Sequence, residues 1–165
     1  KELNDLLQKR EIDIFINCAG QFGSDKQSLE NINFEYLIKI FKINSLAVLK
    51  ILQLINLHNK LHHLKKIIII SSDGGSIKLN DEGGAYIYRI TKSSLNSISK
   101  NLSVDLNKKH NSSVITVDPG NTKTNMNGKG YLSSEKCAEY LIDIISDKNN
   151  YNGKFINILK KEIPW

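Results

Sequence analysis

Four isoleucines in succession, residues 67–70, run into Ser71-Ser72 and then Gly74-Gly75. A run without polar alternation reads as a strand buried on both faces, as the strands of a parallel sheet are. The segment IDIFIN at 12–17 has the same character and ends in Cys18-Ala19-Gly20. A small residue and a glycine there let a ligand or another backbone approach closely. Further strands are expected at 114–117 and 155–159. Helices are expected at 33–58, 85–108 and 134–146, with a short amphipathic helix in residues 1–10. Over 33–58 the apolar residues Phe34, Leu37, Ile38, Phe41, Leu46, Leu49, Leu52 and Ile55 recur every three or four positions. Strands and helices alternate along the whole chain, which predicts an α/β fold: one parallel sheet with helices on both faces.

The chemistry-bearing stretch follows the isoleucines. Tyr88 and Lys92 stand four apart at the start of a predicted helix, so phenol and ammonium share one face, one turn apart. A nearby ammonium favours the phenolate, which predicts a lowered phenol pKa and a general acid or base. Of the six tyrosines, Tyr88 alone has a lysine at the fourth following position. The same spacing also suits a solvated helix face, so context decides. Here a strand delivers the Ser71-Ser72 hydroxyls to its C-terminal end, and a Gly-bearing loop then leads to Tyr88 and Lys92. In α/β sheets ligands bind at that edge. The strand at 114–117 ends in Asp118-Pro119-Gly120, a turn that brings Thr122 and Thr124 to the same edge. Asn44, a poor helix former in the middle of an apolar helix, reads as a satisfied core amide or as a hydrogen-bonding site residue.

The net charge of +6 is spread over scattered lysines without a dense basic run, which argues against nucleic acid as a partner. No stretch is apolar for the roughly 18 residues that a membrane-spanning helix needs. Cys18 and Cys137 lack metal-ligand spacing and read as reduced structural thiols of a cytosol-like compartment. His58, His62 and His63 lack acidic or thiol partners at metal-site spacing, so no metal is expected.

Taken in chain order, these segments resemble the short-chain dehydrogenase/reductase family. Asn17-Cys18-Ala19-Gly20 is similar to its Asn-Asn-Ala-Gly segment, with Cys in the second place. Asn44 falls where the family keeps a mid-helix Asn, Ser72 where it keeps a strand-ending Ser, and Tyr88 and Lys92 match its Tyr-x-x-x-Lys. Pro119-Gly120 matches its Pro-Gly turn. The run Gly83-Gly84-Ala85-Tyr86-Ile87-Tyr88-Arg89 and the closing Ile163-Pro164-Trp165 resemble the C-factor and sniffer-type carbonyl reductases. The family's Gly-rich Thr-Gly-x-x-x-Gly-x-Gly turn does not occur in these 165 residues. The chain is therefore expected to be the C-terminal part of a Rossmann-like doubly wound fold, a single NAD(P)-binding domain over 1–165, N-terminally incomplete.

The resemblance implies an NAD(P)-dependent oxidoreductase that moves a hydride between a nicotinamide and a carbonyl or alcohol carbon. It implies NADP as the cofactor, with NAD as the alternative. Tyr88 would be the general acid, Lys92 would lower its pKa and hold the nicotinamide ribose, and Ser72 would hold the substrate oxygen. Asn44 would anchor a water of a proton relay. Asn17, Ala19 and Gly20 would lie along the ribose; Pro119, Gly120, Thr122 and Thr124 would face the nicotinamide and phosphates. Arg89 and Tyr86 read as surface or packing residues. A small-molecule substrate, a cytoplasmic location and a homodimer or homotetramer are also implied, with helix 33–58 and the Tyr88 helix as the dimer contact. The rival reading is a catalytically inactive dimerisation or binding module on the same fold.

Overall fold

The computed structural model describes residues 2–24 and 26–165. In chain order the main elements are α1 (Glu2–Lys9), β1 (Ile14–Asn17), α2 (Phe34–Phe41), α3 (Ala47–Leu57), β2 (Lys66–Ile70), α4 (Tyr86–His110), β3 (Ser113–Asp118), α5 (Ser134–Ser146) and β4 (Phe155–Asn157). The four strands form one parallel sheet in the order β1-β2-β3-β4. Parallel register aligns their C-terminal ends: Asn17 lies beside Ile69, Ile70 beside Val117, and Asp118 beside Asn157. Every strand thus hands its following loop to the same edge of the sheet.

The isoleucine run explains the layering, because successive side chains of a strand point to opposite faces. Ile67 and Ile69 pack with Val48, Leu52, Ile55 and Leu95 of α3 and α4, while Ile68 packs with Ile115, Val117, Cys137 and Ile144 on the α5 side. Ile67, Ile68 and Ile69 are fully buried. At roughly 1.5–3 kcal/mol per buried aliphatic side chain, this strand anchors both layers. Lys66, at its start, donates from Nζ to the carbonyls of Ile145 and Asp147 and so caps the C-terminus of α5. Among the described residues β1 has a strand partner on one side only, and its Ile14 and Ile16 are about two-fifths exposed (42% and 41%).

The structure refines the expected elements in three places. The long helix at 33–58 is interrupted by a π-helical turn, Lys42–Leu46, centred on Asn44. Strand 155–159 stops at Asn157, because its side-chain oxygen accepts the N–H groups of Leu159 and Lys161 and turns the chain. Lys160 sits in that turn at φ +64°. Strand 12–17 begins only at Ile14. Cys18 corrects its expected role: it is exposed at the end of β1, whereas Cys137 is buried.

Candidate active site

Three loops and one helix meet at the C-terminal edge of the sheet. After β2, Ser71 and Ser72 part company. Ser71 is 2% exposed and its hydroxyl donates to Asn96 Oδ1, so it is a packing residue. Ser72 is only half-buried and opens a short 3-10 turn, Asp73–Gly75. Its Oγ accepts from Gly74 N at 3.1 Å and donates to Asp73 Oδ1 at 3.0 Å. Gly74 occupies the space between the two candidate groups: a Cβ built on it would lie 3.3 Å from Tyr88 Cε1 and 3.4 Å from Ser72 Oγ. A side chain there would press on the Tyr88 ring by a few tenths of an ångström. Gly75 is tighter still, its would-be Cβ 2.9 Å from the Lys92 carbonyl carbon.

Lys92 is 4% exposed. Its Nζ donates to the Ile70 carbonyl at 3.1 Å and lies 5.8 Å from the centroid of the Tyr88 ring. A Cβ on Gly20 would sit 3.5 Å from Lys92 Nζ and 3.8 Å from Asn44 Oδ1. The ammonium thus faces the Asn17-Cys18-Ala19-Gly20 stretch, in which Asn17 is buried and Ala19 exposed. Ser72 and Tyr88 make one pair, Lys92, Asn44 and Gly20 a second cluster, and the first turn of α4 joins them.

Asn44 is 1% exposed, and its amide is fully engaged. Oδ1 accepts from Gln21 N at 2.8 Å, while Nδ2 donates to Gln21 O at 2.8 Å and to Thr91 Oγ1 at 2.9 Å. Ser45 Oγ adds a bond to Thr91 O at 2.7 Å. The side chain therefore stitches the loop after β1 to α4. The π turn is what aims it there, since one extra residue re-phases the helix face.

The electrostatics correct one expectation. The four-residue spacing predicts that Lys92 lowers the phenol pKa, yet burial pushes Tyr88 up. The neighbouring Ser72 hydroxyl pulls it back in part, and Asp118 and Asp73 raise it further. Lys92 reaches past the ring to a backbone carbonyl rather than to the phenol oxygen. Its own pKa is lowered to about 8, chiefly by burial, with Asp118 and Cys18 opposing. Asp118, 9% exposed at the end of β3, is raised mainly by burial and then by Asp73; Gly120 N donates to it at 3.1 Å.

The Pro119–Thr124 turn lies at the same edge. Gly120 adopts φ +65° with open space where a Cβ would stand. Thr122 is nearly buried: its hydroxyl donates to Pro119 O at 2.9 Å and its N–H to Gly120 O at 2.8 Å. The Thr124 hydroxyl accepts from Met126 N and Asn127 N. Both threonines thus serve the loop's own shape.

Phe22, Gln27 and Ser76 of this region carry no signal in the sequence. Phe22 stacks on Tyr88 with ring centroids 5.0 Å apart. Gln27, in a loop that reads as polar and solvated, is 5% exposed. The Ser76 hydroxyl donates to Pro164 O at 2.6 Å and Lys78 N to Trp165 O at 3.3 Å, so the C-terminal tail braces the loop after Ser72. Asp118 alone was findable, as an acid ending an apolar strand.

Comparison with known proteins gives concordant matches. The family described as short chain dehydrogenase matches residues 3–133. The C-signal of Myxococcus xanthus is 28% identical over 156 residues, 93% of this chain and 93% of that protein. The 1-hydroxy-2-glutathionyl-2-methyl-3-butene dehydrogenase of Rhodococcus sp. strain AD45 is 27% identical over 142 residues, 83% of this chain but 61% of that protein. Among solved structures, the carbonyl reductase Sniffer of D. melanogaster superposes with a TM-score of 0.84 at 23% identity, covering 99% of this chain and 73% of that one. The NADPH-bound carbonyl reductase from chicken fatty liver gives 0.85 at 23% identity, covering 99% and 70%. These two likenesses speak for the fold: the parallel sheet with its helices is the same architecture.

Proposed function

Because this chain belongs to the short chain dehydrogenase family, we propose that it serves carbonyl reduction and alcohol oxidation with a nicotinamide cofactor, Tyr88 acting as general acid and base. The observation that carries this reading is the placement of Ser72, Tyr88 and Lys92 at the sheet edge, with Gly74 against both Ser72 and Tyr88 and Gly20 beside the Lys92 ammonium. NADP is the cofactor we favour, the chicken reductase being NADPH-bound; NAD is the alternative.

The residues present suit the nicotinamide end of such a cofactor. Lys92 spends one of its three N–H donors on Ile70 O and faces Gly20, where ribose hydroxyls would find a charged donor. Asn17, Ala19 and Gly20 would line that ribose, and Pro119, Gly120, Thr122 and Thr124 would border the nicotinamide and phosphates. A bound reduced nicotinamide supplies the hydride. The chain's own residues supply the proton. Burial keeps the Tyr88 phenol protonated at neutral pH, the form a proton donor to a carbonyl oxygen requires. Ser72 holds that oxygen once its hydroxyl turns from Asp73. Lys92, with a pKa of about 8, is mostly an ammonium at pH 7 and steadies the negative charge left on Tyr88. Asn44 holds Gln21 and Thr91, and so fixes the loop that faces the Lys92 ammonium.

The test is Tyr88→Phe in the full-length protein, followed by NADPH consumption with an aromatic aldehyde and by NADPH binding. Carbonyl reduction is expected to fall by at least about 10²-fold, the lower end of the general-acid range, with binding retained. Lys92→Ala is expected to weaken both binding and turnover. Near-native reduction by Tyr88→Phe would remove the assignment.

A further inference from the structure

We infer that Gln27 is a positioning residue for Tyr88, capping the N-terminus of α4 from 61 positions upstream. The inference rests on the reading of Tyr88 as general acid. A helix begins with backbone N–H groups that have no partner within it, and the residue before the first turn normally supplies a side-chain oxygen. Here that residue is Ala85, which has none and stands at φ +45°. Gly83 and Gly84, at +66° and +63°, lead into it, so the chain enters α4 through three successive left-handed residues. Such an entry cannot cap its own helix.

Gln27 does so instead. Its backbone carbonyl accepts from Tyr86 N at 3.2 Å, and its side-chain Oε1 accepts from Tyr88 N at 2.9 Å. The second bond falls on the backbone of the residue that carries the phenol. Gln27 Nε2 donates to Ser24 O at 2.7 Å and Phe22 O at 3.2 Å, so the amide is engaged at both ends. The loop is shaped around it: a Cβ on Gly23, at φ +104°, would lie 3.3 Å from Gln27 Nε2 and 3.4 Å from Ile87 Cγ2. By holding the Phe22 carbonyl, the amide also holds the residue whose ring lies against Tyr88. Asn44 pins the start of the same loop to Thr91 through Gln21. Two amides therefore fasten one loop to α4, one beside Lys92 and one at Tyr88.

The experiment compares Gln27→Met and Gln27→Glu in the full-length protein by amide hydrogen exchange and by steady-state kinetics with NADPH and 4-nitrobenzaldehyde. Methionine keeps the length and removes every side-chain hydrogen bond, whereas glutamate keeps an oxygen for Tyr88 N but loses the donors to the Ser24 and Phe22 carbonyls. In Gln27→Met, exchange at Tyr88 is expected to speed up at least about tenfold while residues beyond Leu95 keep their protection. A displacement of about 1 Å can cost about 10²-fold in rate, so kcat should fall about 10- to 100-fold with KM for NADPH within about twofold. Gln27→Glu should restore only part of that protection and of kcat, because its second oxygen meets the Ser24 and Phe22 carbonyls; the protection of the Tyr88 amide in the wild type decides the matter if the Met variant does not melt cooperatively. Native exchange at Tyr88 in Gln27→Met, or a Tyr88 amide that exchanges without protection in the wild type, would overturn the inference. A fully active Tyr88→Phe would overturn the proposed function alone, since the exchange result still decides the cap.

Discussion

Lys92 carries its ammonium to a place where the residue is 4% exposed, and burial drags its pKa from 10.5 down to about 8. At about 1.4 kcal/mol per pKa unit, a charged Lys92 costs the folded state about 3 kcal/mol at pH 7. Lys92→Met removes that cost while keeping most of the packing. It also strips the Ile70 carbonyl of its Nζ donor, a loss of about 1 kcal/mol. The variant should be more stable by about 2 kcal/mol at pH 7, a rise in Tm of roughly 4–8 °C for a chain of this size, and devoid of reductase activity. The pH dependence identifies the cause. Below about pH 8 both states of the wild type hold the proton, and the full cost applies. Between about 8 and 10.5 the folded state sheds it while the unfolded state keeps it, so wild-type stability rises with pH. The methionine variant has no such group, and its advantage should shrink across that window. Urea denaturation of both proteins at pH 7, 8, 9 and 10 measures this. A variant less stable than wild type at pH 7, or a difference constant across pH, would refute the reasoning.

Asp118→Asn takes away a charge that raises both Lys92 and Tyr88. The alkaline limb of the pH–rate profile should therefore move below about pH 8, and a limb that stays in place would argue against coupling to Lys92. Gly75→Ala puts a methyl 2.9 Å from the Lys92 backbone and should cost about 1–3 kcal/mol in denaturant unfolding. Asn44→Ala leaves the Gln21 N–H and C=O groups without their partner and should cost about 2–3 kcal/mol by the same assay.

Much of the layering was legible because runs of β-branched residues without polar alternation can hardly be anything but interior parallel strands. Ile67–Ile70 alone placed a strand, two apolar layers and the edge where Ser72 emerges. The boundaries were less legible, since they depend on local bonds such as the Asn157 side chain that ends β4. The π turn at Asn44 was signalled only by an amide in an apolar helix. The buried side of α4 escaped any apolar periodicity because much of it is polar: Ser99 meets Thr116 at 2.5 Å, and Ser45 bonds the Thr91 carbonyl. The sign of the Tyr88 shift was misread for a physical reason. Spacing put Lys92 one turn away, but its reach to Ile70 O and the burial of the phenol outweigh that proximity. Gln27 was invisible because a cap supplied from 61 positions away leaves no local pattern.

The central claim is that Tyr88 delivers the proton while a nicotinamide delivers the hydride. The most direct measurement supplies the full-length protein with 4-nitrobenzaldehyde and NADPH carrying deuterium at both C4 positions and follows the alcohol by mass spectrometry, beside Tyr88→Phe. The account predicts deuterium on the alcohol carbon with wild type and about 10²-fold less product with the variant. Equal deuterium transfer by both proteins, or none by wild type that binds NADPH, would contradict it.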